Sequence, residues 1–291
     1  MKRLLVVFIT LLALDAKGQE SLLVTPQWLN DHKNDPGLVI LQPNYMRLDY
    51  DVEHIAEARY LWPTELSPDS ELGSLNFPDI DKASKLLGSL GISNNSRVVL
   101  CQVRNDVSST TRVFIVLEQL GLKGKVMLLN GGLEAWKKAG FPVTTVAPPP
   151  VVKKEKFTAS ITPLLVDKDY VKDRLQSKET VIVDARMKQY YDGDPAGQPR
   201  DGHIAGAQNI PYPEMIDPAT NAFKPSDQLQ AYFTPVASKD KEIVAYCFIG
   251  QTATVVYMAG RILGYNMKVY DGSVQEWSRI KELPMEKTEK K

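Results

Sequence analysis

Residues 242–264, EIVAYCFIGQTATVVYMAGRILG, decide the fold. Ile243, Val244, Ala245 and Tyr246 form a short apolar run, the kind that makes a strand buried on both faces of a parallel sheet. From Thr252 onward Val255, Val256, Met258, Ala259, Ile262 and Leu263 return at helical spacing, and Gly264 supplies the stop. The stretch reads strand, loop, helix. Cys247 stands at the carboxyl end of the strand, where ligands bind in open α/β sheets.

The same pattern occurs earlier in the chain. RVVLC (97–101) precedes a helical run over 111–120 that ends at Gly121. LVIL (38–41), EHIAEARYL (53–61) and VMLLNGGLEAW (126–136) have counterparts in VIVDAR (181–186), GHIAGAQNI (202–210) and MKVYDGSVQEW (267–277). Order and approximate spacing agree, so the chain holds an internal repeat. Between the copies, APPPVVKKEKF (147–157) combines three prolines with a charged run and reads as a solvent-facing linker. Strands alternating with helices in each copy predict a duplicated α/β architecture with largely parallel sheets, each copy wrapped by its own helices.

Composition narrows the chemistry. The chain has 291 residues, 35 Lys+Arg against 35 Asp+Glu, two cysteines and three histidines. Balanced charge gives no reason to expect nucleic acid as a partner. The few Cys and His residues offer no metal-type cluster, and no cofactor motif is present. Residues 1–18 read as a secretory signal peptide. Lys2 and Arg3 precede an apolar run over 4–14, and Ala16 and Gly18 flank Lys17 before a cut at Gln19. The expectation is an exported protein, periplasmic or secreted, with no stable membrane insertion after cleavage. Loss of that segment leaves the mature chain slightly acidic.

Cys247 carries the functional reading. Loop amides and a helix N-terminus would lower its thiol pKa from the usual ~8.5 and favour the thiolate. Gly250 would let the loop turn so that several N–H groups face one sulfur. Alignment of the repeats puts Gln102 in the Cys247 position, while Cys101 falls opposite Tyr246. Cys101 therefore reads as core, with a Cys101–Cys247 disulfide as the alternative for an exported chain.

These motifs resemble the rhodanese family of sulfurtransferases. DAR (184–186), PRDGHIAGAQNIPY (199–212), YCFIGQTA (246–253) and YDGSVQEW (270–277) match its successive signatures, and the first half carries degraded versions. The resemblance is closest to the two-domain thiosulfate and 3-mercaptopyruvate sulfurtransferases. With the leader read over 1–18 and the linker over 147–157, it implies a non-catalytic rhodanese-like domain over 19–146 and a catalytic rhodanese-like domain over 158–285. Cys247 would be the nucleophile that takes a sulfane sulfur as a persulfide. The amides of Phe248, Ile249, Gly250, Gln251 and Thr252 would hold the sulfur anion. A small sulfur-containing donor and a thiol or cyanide acceptor would be the partners, with a persulfide-donating protein as a further one.

The resemblance also implies that Arg200 binds a substrate carboxylate, with an exposed salt bridge as its other reading. Arg186 would line the site while pairing with Asp184. His54 and His203 sit in the paired HI motifs as structural residues, with the interdomain cleft as another placing for His54. The active cleft would lie between the domains.

The loop departs from both familiar subtypes. Phe248 and Ile249 stand where thiosulfate-type loops carry cations, Ile249 also replaces the mercaptopyruvate-type serine, and Tyr190 replaces a substrate-binding arginine. An apolar loop suggests a less charged donor or a persulfide passed from a partner. Ala253, six residues after Cys247, excludes a phosphatase-type Cys-x5-Arg cradle. A lone cysteine without a resolving partner argues against a thiol oxidoreductase. The rival reading is a non-catalytic partner-binding module.

Overall fold

The computed structural model describes residues 22–70, 73–104, 106–151 and 155–288; the leader read over 1–18 lies outside the described residues. In chain order the strands of the first half are β1 (Leu23–Val24), β2 (Leu38–Pro43), β3 (Arg59–Leu61), β4 (Arg97–Leu100) and β5 (Val126–Leu129). Its helices are α1 (Pro26–His32), α2 (Arg47–Val52), α3 (Ile80–Ser89), α4 (Val107–Leu117) and α5 (Gly132–Lys138). The second half contains β6 (Leu165–Val166), β7 (Thr180–Asp184), β8 (His203–Ile204), β9 (Gln208–Asn209), β10 (Glu242–Tyr246), β11 (Asn266–Tyr270) and β12 (Met285–Glu286). With them come α6 (Lys168–Lys172), α7 (Lys188–Asp192), α8 (Ser226–Phe233), α9 (Ala253–Ile262) and α10 (Ser273–Trp277).

Two five-stranded sheets result, ordered β1-β5-β4-β2-β3 and β6-β11-β10-β7-β9, and every pairing within them is parallel. A short antiparallel pair, β8 with β12, stands apart. Local chemistry sets the helix starts. Thr25, Asp79, Asp106 and Asp167 accept from the first-turn amides of α1, α3, α4 and α6, each cap contributing about 1 kcal/mol. Gly121 (φ +117°) and Gly264 (φ +81°) turn the chain after α4 and α9.

The register shows the duplication. Leu41 pairs with Leu100 in one sheet as Val183 pairs with Ala245 in the other. Trp136 and Trp277 are both fully buried and donate Nε1–H to the carbonyls of Pro142 and Pro284, at 2.9 and 3.0 Å. His54 stacks on Tyr50 and His203 on Tyr191, with Nδ1 of each 2.7 Å from that tyrosine's carbonyl oxygen. Both histidines are thus internal braces. His54, 0% exposed, does not face a cleft.

The halves are not wrapped separately, and here the structure corrects the sequence reading. One apolar cluster runs through both, with Val113, Phe114 and Leu117 of α4 alongside Val255, Val256 and Met258 of α9. Both helices are buried along nearly their whole length, so they need cover on every side. They obtain it from each other. The linker reading needs amendment too: Phe157 is buried, and the Glu155 amide donates to the Gly88 carbonyl at 3.1 Å. Beyond it, the Thr158 backbone exchanges two hydrogen bonds with the Asn94 side chain. The stretch after the prolines lies along the first half; residues 152–154 fall outside the described ones.

Candidate active site

Cys247 follows β10 at the centre of the second sheet, and residues 248–252 connect it to α9. Five carbonyls of this loop are engaged. That of Cys247 accepts from the Val274 amide (3.1 Å) and that of Phe248 from the Gln275 amide (2.9 Å). Gly250 O accepts from Arg112 Nη1 at 3.3 Å, while Gln251 O and Thr252 O accept from the first turn of α9. By contrast, among the described residues the amides of 248–252 have no protein acceptor. No peptide bond here is cis, so each C=O points opposite to the N–H that shares its plane. Anchoring these carbonyls therefore turns the amides of Phe248, Ile249, Gln251 and Thr252 away from the groups that hold the loop. An array of unpaired, convergent N–H groups is an anion cradle.

Gly250 permits the turn. Its φ is +79°, and a Cβ there would lie 2.6 Å from the Asp271 carbonyl. The Cys247 amide donates to Ser273 Oγ at 3.2 Å, and that hydroxyl donates to the Tyr270 carbonyl at 2.9 Å. Ser273 holds φ +52° to do so, a conformation costly for a residue with a Cβ. Its counterpart in the first half is Gly132, where a Cβ would meet Gln102 Cγ at 2.3 Å. The glutamine in the cysteine's position thus fills that loop, and its Nε2 donates across to Asn221 O at 2.7 Å.

The wall is apolar and aromatic. Tyr190 meets Phe248 edge-on at 5.2 Å, and the Arg186 guanidinium lies 4.9 Å from the Phe248 ring centre. Arg186 is 3% exposed and spends Nε and Nη2 on Asp184 and on the Gly202 carbonyl. Burial works against its charge, but the hydrogen bonds and charge of Asp184 outweigh that and raise its pKa. Cys247 itself is 1% exposed, so a reactant must bring a slender group to the sulfur.

Arg200 is not brought to Cys247. Its guanidinium donates to the carbonyls of Trp277, Ser278, Ile280 and Leu283, at the far end of α10 from the cysteine loop. It caps a helix C-terminus, and the carboxylate-binding role expected for it is corrected accordingly. An interdomain cavity of about 420 Å³, lined by Phe77, Gln119, Tyr170, Asp271 and Gln275 among others, includes none of residues 247–252.

Cys101 and Cys247 are both free, which removes the disulfide alternative. Cys101 is fully buried in a different apolar cluster, and burial pushes its thiol up to about 12. Unfolding would return that thiol to near 9.0. Stability from keeping it neutral is therefore complete below pH ~9 and lost progressively toward pH ~12. Urea titrations of Cys101→Ala should show a shallower decline above pH 9 than the parent; an unchanged slope would contradict this.

Sequence reasoning missed Arg112. It lies on α4 in the half that lacks Cys247, is 1% exposed, and reaches Gly250 O and the Asp271 carboxylate of the other half. One signal was available: Arg112 is the only charged residue of α4 and leads into the apolar run over 113–117, where a buried charge needs a partner.

Comparison with known proteins agrees with this geometry. The rhodanese-like domain profile matches residues 25–139 and again 167–280. A sulfur carrier protein of Thermus thermophilus is 31% identical, over 92% of this chain and 97% of its own. The thiosulfate sulfurtransferase of Rattus norvegicus is 30% identical, over 88% and 92%. Among solved structures, EanB in complex with ergothioneine superposes with a TM-score of 0.83 at 21% identity, over 93% of this chain and 71% of that one. The matched segments carry four of the five strands of each sheet and the cysteine loop, so the chain belongs to the rhodanese family, as a tandem-domain sulfurtransferase or sulfur carrier.

Proposed function

We propose that this protein moves a sulfane sulfur from a donor to a thiophilic acceptor through a persulfide on Cys247. The observation that carries this reading is the loop of residues 248–252, whose carbonyls are anchored outward and whose amides are left to hold a sulfur anion. The Cys247 thiolate attacks the outer sulfur of the donor. The bond to that sulfur breaks, and its electron pair leaves on the donor fragment as a thiolate, sulfite or enolate. An acceptor thiolate or cyanide then attacks the terminal sulfur and returns Cys247 as thiolate. No outside oxidant is required.

The donor is of the thiosulfate or 3-mercaptopyruvate type in the relatives whose names state one. The aromatic pair of Phe248 and Tyr190 favours a less charged donor, such as a small-molecule or protein persulfide, because a dianion gains little from aromatic neighbours. Export, read from residues 1–18, belongs to the same proposal.

The experiment is a loading panel. Wild-type protein is treated with thiosulfate, 3-mercaptopyruvate or glutathione persulfide, and intact mass is followed with time. Glutathione persulfide should load one sulfur fastest. Faster loading by thiosulfate would overturn the donor preference, and no loading from any donor would favour the partner-binding module instead.

A further inference from the structure

We propose that Arg112 is a positioning residue for Cys247, through which the half that lacks Cys247 sets the shape and field of the loop that carries it. The inference rests on the sulfur-transfer reading but concerns a residue of the other domain. All three nitrogens of its guanidinium are engaged. Nε donates to Ser67 Oγ at 3.0 Å, and Nη2 donates to the Leu75 carbonyl, so two first-half groups fix its plane. Nη1 crosses the boundary to Gly250 O at 3.3 Å and Asp271 Oδ1 at 2.5 Å.

The consequence for the loop follows from peptide geometry. The Gly250 carbonyl shares its plane with the Gln251 N–H, which points to the opposite side of a trans peptide. A charged donor on that oxygen holds the peptide in this orientation and polarises its N–H. The Gln251 amide thereby becomes a stronger donor inside the anion cradle. Without Arg112 the Gly250 peptide would have no outside anchor of this kind, and a glycine at φ +79° can rotate freely.

Neighbouring contacts from α4 keep Arg112 in register with the loop. Ser108 Oγ accepts from Gln251 Nε2 at 2.9 Å, and Thr111 and Thr254 share a hydroxyl hydrogen bond of 2.7 Å. The Gln275 side chain also exchanges two hydrogen bonds with the Ser74 backbone, while its amide holds Phe248 O. The cysteine loop is therefore clasped between α10 and the first half.

The test measures second-order rate constants for iodoacetamide alkylation of Cys247 and for persulfide loading, with folded protein confirmed by circular dichroism. Alkylation requires no sulfur donor, so it distinguishes failure of this inference from failure of the sulfur-transfer reading. Arg112→Met should slow both reactions by about tenfold. Arg112→Lys keeps the charge but lacks the fork, and should recover only part of the rate. Wild-type rates in either folded variant would overturn the proposal, because a purely structural arginine would lower the urea midpoint and leave them unchanged. Should both variants fail to fold, Asp271→Asn decides: the arginine loses its charged anchor, and slower alkylation is expected, unchanged alkylation being the contrary result.

Discussion

Cys247→Ser is expected to abolish sulfur loading and to lower turnover by at least about a thousandfold, the usual loss when a covalent nucleophile is removed. Two features make the effect large. The hydroxyl is too weak an acid to present an anion at neutral pH, and the amides of 248–252 then face a neutral group. Cys101 cannot substitute, because it is buried on the other side of its own sheet and its thiol is pushed up to about 12. Intact mass after donor treatment should show a gain of one sulfur atom in the wild type alone. Equal labelling of wild type and Cys247→Ser would sink the mechanism.

A second large effect is expected at the joint between the halves. Glu118, just after α4, is 0% exposed, and it accepts from the Tyr257 hydroxyl and from Arg261 Nη1, each at 2.7 Å. Burial pushes the Tyr257 phenol well above its ordinary range, so it remains a neutral donor to that carboxylate. Glu118→Ala removes the only negative charge in this cluster and leaves Arg261, whose side chain is 11% exposed, without its carboxylate. Breaking a buried pair from one side costs about 3–5 kcal/mol. Denaturant unfolding should register a loss of that size, with Glu118→Gln losing less because it still accepts hydrogen bonds. A change below about 1 kcal/mol would mean that the joint is held elsewhere.

Much of the fold was legible because its signals are local. The runs 38–41, 97–101, 181–186 and 242–247 needed only their apolar, β-branched composition to be read as strands, and β2, β4, β7 and β10 lie there. The two-residue edge strands β1 and β6 escaped notice. Each is too short to show a period and exists only because β5 or β11 offers it a ladder.

The site divided in the same way. Asp184 and Arg186 are two residues apart and form the expected buried pair, since a neighbour along a strand end is already within reach. Arg200 was misread because its spacing from the D-x-R motif carries no information on the end of α10 and the segment after it, which supply its four carbonyls some 80 residues later. The apolar loop was visible in the sequence, but the packing of Tyr190 and Arg186 around Phe248 was not.

By itself the sequence determined the repeat, the strand–loop–helix unit and the choice of Cys247 over Cys101, because periodicity, glycine placement and register are properties of consecutive residues. Only the tertiary structure decided how the two copies join. The apolar faces of α4 and α9 cover each other, and that contact carries Arg112 and Glu118 into the second half. A buried charge finds its partner through space, and nothing along the chain between residues 112 and 250 records that meeting.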